Sequence, residues 1–325
     1  MHSPATERLE TWIGRTESRA DVVTAWPAVA LAATLDRRDP APGPGDALPA
    51  GWHWLYFLEA APASELGPDG HPKRGGFLPP VALPRRMWAG GRLEFRRALR
   101  VGEPIRRDST ILSIEPKQGR SGSLVFVTVR HSVFSGGELA VIEDHDIVYR
   151  EAAKPGDPPT QVKPAPRDAS WRREVVADPV MLFRYSALTF IGQRIHYDLD
   201  YCRKVEGYPG LVVHGPLQVI LLLDLARRHD PRPVRRLEYR AHHPLFHFEP
   251  FTVNGNTASG VPQAALWTAG PDGNYAMAAT AYFCRGGAAR KAPIAALALR
   301  KLLVRKPFQF GDLGVIFALP TRWPA

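Results

Sequence analysis

The sequence predicts an α+β protein of two similar halves, each a curved antiparallel sheet closed around one buried helix. Three observations lead there. First, short motifs recur in the same order at an offset of about 140 residues. "RLEFR" (Arg92–Arg96) and Glu103-Pro104 return as "RLEYR" (Arg236–Arg240) and Glu249-Pro250. "GGELAVIEDHDIVYR" (Gly136–Arg150) returns as "DGNYAMAATAYFCR" (Asp272–Arg285). Ordered matches at a shared spacing indicate internal duplication. Second, the long apolar segments read as strands. Third, Pro216–Arg228 is apolar nearly all the way round a helix, which requires protein on every side of it.

Taken in order, "ADVVTAWPAVALAATLD" (Ala20–Asp36) is the first half's helix and the counterpart of 216–228, with Pro27 interrupting it. "SLVFVTVR" (Ser123–Arg130) places Leu124, Phe126 and Thr128 on one face and Val125, Val127 and Val129 on the other, so a strand covered on both sides is expected. Ala152–Ser170 holds five prolines and no apolar period, the composition of a stiff extended linker. The second helix opens with Gly215-Pro216, carries Arg227, Arg228 and His229 in its last turn and stops before Pro231. "YAMAATAYF" (Tyr275–Phe283) is rich in small residues, as suits a strand packed closely on a helix. The expected organisation is 1–151, a first domain; 152–170, the linker; 171–285, a second domain; and 286–325, a basic extension.

With 325 residues, 45% of them apolar, the chain can build a packed core. The net charge of +10 is uneven: from Arg285 onward eight Lys/Arg stand against one Asp, leaving about +3 for the remainder. Such a balance suits a ligand bearing phosphates or carboxylates and does not call for a nucleic acid. No stretch approaches the ~20 uncharged apolar residues of a membrane span. The N-terminus carries charge where a secretory signal would be apolar, and the two cysteines, Cys202 and Cys284, lie outside any CxxC. A cytoplasmic location with unpaired thiols is the expectation.

The chemistry concentrates between Thr189 and Pro216, "TFIGQRIHYDLDYCRKVEGYPGLVVHGP". A helix that begins at a glycine offers backbone N–H groups and a partial positive charge where a carbonyl oxygen can approach closely. Just upstream stands His196, flanked by Arg194 and Asp198, a residue type suited to moving a proton near neutral pH. An oxyanion site beside a base is the minimum for chemistry next to a carbonyl. The same residues also read as a hydrogen-bonded structural histidine and a helix cap.

This stretch resembles the MaoC-like, hot-dog-fold (R)-specific enoyl-CoA hydratases and dehydratases. His196-Tyr197-Asp198 matches their His-x-Asp, and "GYPGLVVHGPL" (Gly207–Leu217) their approach to the central helix. It is closer still to the two-domain branch similar to mesaconyl-CoA (3-methylfumaryl-CoA) and itaconyl-CoA hydratases, which shares "WIGR" (Trp12–Arg15), "GGFLPP" (Gly75–Pro80), "LPRRMWAGG" (Leu83–Gly91), "GRSG" (Gly119–Gly122) and "DIVYR" (Asp146–Arg150). The resemblance spans roughly residues 8–285. It implies a double hot-dog fold, an acyl-CoA substrate carrying a second carboxylate, and no metal or redox cofactor. It also implies His196 as the proton-transfer residue, Gly215 as the oxyanion donor and Asp198 as a supporting acceptor. Arg194, Gln193, His214, Arg86 and Tyr185 are the expected substrate contacts, with Arg194 or Arg86 on the free carboxylate. A homodimer is a candidate assembly. The chain departs from the pattern where the family has Asp and the branch Asn, at Ile191, and where the branch has His, at Gln193. Isoleucine neither accepts nor donates a hydrogen bond. That favours a rival reading, a thioester-binding protein without turnover; a thioesterase on the same fold, releasing free thiol, is a third.

Overall fold

A computed structural model describes residues 9–119, 122–152, 162–258 and 260–285. Ten strands form one antiparallel sheet: β1 (Thr16–Val22), β2 (Arg85–Phe95), β3 (Pro104–Gly119), β4 (Gly122–Ser135), β5 (Glu138–Arg150), β6 (Trp171–Val175), β7 (Val234–Ala241), β8 (Phe251–Thr257), β9 (Gln263–Ala269) and β10 (Tyr275–Phe283). Their order is β1-β3-β4-β5-β2-β7-β10-β9-β8-β6. The order reads the same from either end once β1 is matched with β6, β2 with β7, and so on. The duplication seen in the sequence is therefore a symmetry of the sheet.

The recurring pentapeptides meet at its centre. In the β2–β7 register Leu93 lies opposite Leu237, Arg92 opposite Glu238 and Glu94 opposite Arg236. Two copies of "RLE" paired antiparallel about a central leucine set each charge against its opposite, a favourable cross-strand arrangement. Gly90 and Gly91 permit the contact. A Cβ at Gly90 would stand 2.7 Å from the Tyr239 carbonyl oxygen, and one at Gly91 2.5 Å from the Tyr239 hydroxyl.

Three helices cover the sheet: α1 (Ala25–Thr34), α2 (Pro179–Thr189) and α3 (Gly215–His229). Every residue from Leu217 to Ala226 is buried, as the all-round apolar pattern requires. Two polar groups on α3 are satisfied internally. Gln218 accepts from the Thr268 hydroxyl at 2.7 Å. Asp224 accepts from Arg173 at 3.2 Å and Arg228 at 2.7 Å, and also pairs with Arg37 of the first half. Its carboxylate is 1% exposed, whereas Arg173 and Arg228 are about a third exposed. Asp224→Asn should cost about 2 kcal/mol in urea unfolding, below the full value for a broken buried pair because the arginines keep part of their hydration.

The helix expected at Ala20–Asp36 is corrected in two respects. Ala20–Val22 belongs to β1, and α1 starts at Ala25, so Pro27 falls in the first turn, where its missing N–H has no intrahelical acceptor to lose. Moreover, α1 follows β1 as α2 follows β6, which makes it the counterpart of α2 and not of α3. The buried helix is not present twice. Between residues 35 and 84 the chain forms only the short 3-10 turns Trp52–Leu55 and Ala63–Glu65, because ten prolines in that interval prevent a continuous helix.

The inner face of the first half is covered instead by irregular chain. At one end Trp12, Phe77, Leu78 and Leu83 pack on Ile111, Val127, Ile147 and Tyr149. At the other Trp52, Leu55 and Phe57 join the main core with Ile105, Val133 and Val141. Strand alternation places a polar row between the two apolar zones: Arg107 and Ser109 on β3, His131 on β4, Glu143 and His145 on β5. Most of the linker, the central residues of "GRSG" and the 286–325 extension lie outside the described residues.

Candidate active site

The sequence between α2 and α3 folds as two turns locked together. Asp178 caps α2 by accepting from the Met181 N–H at 2.8 Å. The helix ends at Phe190 in the left-handed region (φ 51°), with the Ile191 N–H donating to Ser186 O at 2.9 Å. Gln193 then leads into the 3-10 turn Arg194–His196. Asp198 caps the next helical turn, Leu199–Tyr201, by accepting from the Tyr201 N–H at 2.9 Å.

Two bonds tie the His196 turn to the approach to α3. The Val212 N–H donates to Ile195 O at 2.9 Å, and His196 Nδ1 donates to Val212 O at 2.7 Å. That second bond fixes the tautomer, so Nε2 of His196 carries the lone pair. No described residue engages it. The His196 ring lies flat on His214, centroids 3.6 Å apart and planes 18° from parallel. His214 in turn bonds Ser186 Oγ through Nε2 at 2.8 Å, and Tyr185 stands edge-on to it at 5.0 Å. His196, His214 and Tyr185 thus form one buried group beside the start of α3 at Gly215.

Burial lowers His196 to about 4, helped by the charge of His71 and opposed by the bond to Val212. His214 is held well below the ordinary imidazole value by burial and by His196. Both rings are neutral at pH 7, the form in which an imidazole can take a proton. The same shifts affect stability. A histidine whose folded value is depressed is neutral in both states above about pH 6.5 and contributes nothing there. Below that the unfolded chain binds the proton first, so stability falls as pH drops until the folded value is passed. His131, lowered to about 3 chiefly by burial, acts in the same sense as His196. Urea unfolding should show stability level above pH 7 and falling from pH 6.5 to 4, by up to roughly 1.4 kcal/mol per unit for each such group.

Arg194 and Asp198 are engaged with each other. Arg194 donates through Nε and Nη2 to Asp198 Oδ2 at 3.0 and 2.7 Å, and its guanidinium covers the Tyr201 ring at 4.2 Å. With Oδ1 on the Tyr201 N–H, both oxygens of Asp198 have local partners, and no hydrogen bond joins it to His196. The Gln193 side chain has no hydrogen-bond partner among the described residues; its carbonyl accepts from the His196 N–H at 3.2 Å.

The first half closes the site from the other side. A Cβ at Gly215 would lie 3.4 Å from Cβ of Trp88, so β2 crosses directly over the start of α3. Trp88 donates to the Tyr239 hydroxyl at 3.1 Å and lies against the His145 ring, centroids 3.9 Å apart and planes tilted by 33°. Arg86, two residues away on the same face of β2, has no carboxylate partner among the described residues. Its charge bears on Asp69, His71, His145 and Tyr149. Arg86 reaches the buried Tyr149 hydroxyl as a hydrogen-bond donor as well as by charge, while His145 Nε2 is buried without a partner among the described residues.

Asp69, His71, His145 and Tyr149 were not among the expected site residues. Tyr149 sits inside "DIVYR", but nothing local in that motif tells which distant groups its hydroxyl meets. Among the described residues no group of three His, Cys, Asp or Glu is arranged to hold a metal ion, and no helix is long and apolar enough to cross a membrane.

With this geometry in place, the comparisons with known proteins agree on one family. Residues 51–247 match the family model described as hydroxyacyl-thioester dehydratase type 2. The chain is 48% identical over 273 residues to the mesaconyl-C(4)-CoA hydratase of Chloroflexus aurantiacus, covering 83% of this chain and 95% of that one. It is 29% identical over 232 residues to the mitochondrial hydroxyacyl-thioester dehydratase type 2 of Schizosaccharomyces pombe, covering 63% and 77%. Among solved structures, a MaoC-like dehydratase from Phytophthora capsici matches with a TM-score of 0.63 at 14% identity, over 86% of this chain and 99% of that one. A Mycobacterium tuberculosis protein described as having a double hot-dog fold matches with a TM-score of 0.52 at 13% identity, over 83% and 96%. These two likenesses concern the fold. The chain belongs to the hydroxyacyl-thioester dehydratase type 2 family and is a hydro-lyase, an acyl-thioester hydratase/dehydratase on a double hot-dog frame.

Proposed function

We propose that this protein adds water reversibly to an α,β-unsaturated CoA thioester whose acyl group ends in a free carboxylate, a C4/C5 dicarboxylate such as mesaconyl-CoA. The observation that carries the substrate class is the group around Arg86. The Arg86 guanidinium has no carboxylate partner among the described residues; it reaches the buried Tyr149 hydroxyl, and near it His145 Nε2 is buried without a partner. A buried polar group without a partner is costly, and a carboxylate is the ligand that would satisfy all three donors at once. The relative from Chloroflexus aurantiacus, named for a thioester of this kind, supports the reading.

In this proposal the thioester oxygen sits on the Gly215 N–H, where the N-terminus of α3 stabilises the charge it gains. His196 takes a proton from water as the hydroxyl adds to the β-carbon, and returns it to the α-carbon. His214 and Tyr185 hold the His196 ring. Arg194 and Asp198 brace the turn that carries it. The first half supplies the acyl site through Arg86, Trp88, His145 and Tyr149, where no buried helix like α3 fills its sheet. Water adds as a hydroxyl and a proton with no net oxidation or reduction, so the proposed reaction uses no redox cofactor, and none of its steps is assigned to a metal.

Loss of enoyl-thioester absorbance with mesaconyl-CoA and crotonyl-CoA, followed together with free thiol, tests this reading. Hydration of mesaconyl-CoA without thiol release, at a kcat/KM about 10²-fold above crotonyl-CoA, is expected from one charge-assisted recognition. Thiol release would make the protein a thioesterase. Binding without turnover would make it a carrier, as Ile191 on its own would suggest. Equal use of crotonyl-CoA would remove the carboxylate site.

A further inference from the structure

Adding water to a double bond requires more than a base. The water has two O–H groups: one proton leaves, and the other needs an acceptor if the oxygen lone pair is to point at the β-carbon. His196 Nε2 provides one acceptor. Within the same segment Ile191 offers none, Asp198 has both oxygens engaged, His214 has Nε2 bonded to Ser186 and Nδ1 fully buried, and the Gln193 amide is the one competing acceptor.

A loop of the first half brings another imidazole to this turn. Residues 67–71 dock on the His196 turn through backbone groups: the Arg194 N–H donates to Asp69 O at 2.9 Å, and Arg194 Nη1 to Pro68 O at 3.2 Å. The fit at Gly70 is so close that a Cβ there would stand 1.9 Å from Gly192 O. Gly70 has φ of +83°, a conformation that suits glycine. The docked loop carries a histidine–carboxylate pair. His71 Nδ1 donates to Asp69 Oδ2 at 3.1 Å, and the His71 N–H donates to Asp69 Oδ1 at 3.1 Å. As with His196, an acceptor on Nδ1 leaves the Nε2 lone pair open, and no described residue occupies it.

We infer that His71, oriented by Asp69, is the second acceptor on the attacking water, and so a catalytic residue contributed by the half of the molecule that lacks His196. The inference rests on the hydratase reading above. In the step, one O–H proton passes to His196 Nε2 and the oxygen bonds the β-carbon. The C=C electron pair moves onto the α-carbon and the thioester oxygen at the Gly215 N–H. His196 then returns the proton to the α-carbon. The hydrogen bonded to His71 stays on the product hydroxyl, so His71 gains and loses no proton.

The surroundings of His71 fit this role. Burial lowers it, the charges of Arg86 and Arg74 act the same way, and Asp69 opposes them. Asp69 is raised by burial but held at about 2 overall by its bonds from His71 and by the charge of Arg86. The charge of Arg86 thus bears on His71, and that of His71 on His196.

The test uses the full chain with mesaconyl-CoA. His71→Phe keeps a ring but removes the acceptor, and should lower kcat about 10²-fold with KM little changed. Adding Ile191→Asp, which sets a carboxylate beside the Gly70–Gly192 contact, should recover at least a tenth of the native kcat. Asp69→Asn keeps the shape of the loop and should lower kcat about tenfold, which covers the case of His71→Phe failing to fold. Native kcat in His71→Phe or Asp69→Asn, a loss confined to KM, or no recovery with Ile191→Asp would overturn the inference. Each of those outcomes leaves the hydratase reading intact if the native protein turns over and His196→Ala does not. A native protein without turnover would fail that reading first.

Discussion

His196→Ala should lower kcat for mesaconyl-CoA hydration by about 10³-fold, the middle of the range for losing a positioned acid/base group, while KM changes little. The expectation follows from three features. Nδ1 is committed to Val212 O, so the ring has one available nitrogen. Burial lowers its proton affinity to about 4, so that nitrogen is a free acceptor throughout the neutral range. The stack on His214 at 3.6 Å keeps the ring from turning. Substrate binding should survive, because in the proposed binding mode the thioester oxygen meets Gly215 and the carboxylate meets Arg86, neither of which depends on the His196 side chain. Steady-state kinetics with and without the substitution, alongside an unfolding curve, would check both halves of the statement.

Arg86→Leu should lower kcat/KM for mesaconyl-CoA by about 10²–10³-fold, the cost of leaving a buried carboxylate unpaired. The loss should appear mostly in KM. Leucine preserves an apolar stem beside Trp88 while removing the charge, so crotonyl-CoA, which has no second carboxylate, should be used as well as before or better. The preference between the two substrates is then the quantity that moves. Arg194→Leu provides the contrast. That guanidinium already pairs with Asp198 and lies over Tyr201, so its removal should loosen the His196 turn and slow both substrates alike.

Much of the fold was legible in the sequence because duplication leaves local traces. "RLEFR" and "RLEYR" recur since they face each other across the centre of the sheet, and the apolar ring of α3 recurs in its burial. The missing helix of the first half was misread for a physical reason. "ADVVTAWPAVALAATLD" has helical composition, and only the topology shows that α1 occupies the place of α2. The proline-rich stretch beyond it, which could have warned of the loss, reads equally as loop.

The site was legible where its parts are neighbours in sequence. His196, His214 and Gly215 share one continuous segment, and the structure stacks or adjoins all three. Arg86 was within view as part of "LPRRMWAGG". What could not be read was pairing over distance. Asp198 looks like a helper for His196 until its two oxygens are found on Arg194 and the Tyr201 N–H. Asp69 and His71 carry no motif of their own, and the docking of their loop on the His196 turn depends on a glycine contact, Gly70 against Gly192, made by folding the two halves together.

The most direct test of the account is the absorbance of mesaconyl-CoA mixed with the native protein. A steady fall in the enoyl-thioester band, with a product heavier by one water and the thioester intact, is the predicted result. An unchanged band with a folded protein and saturating substrate would contradict the account. The group at His196, Gly215 and Arg86 would then hold a thioester of this class without hydrating it.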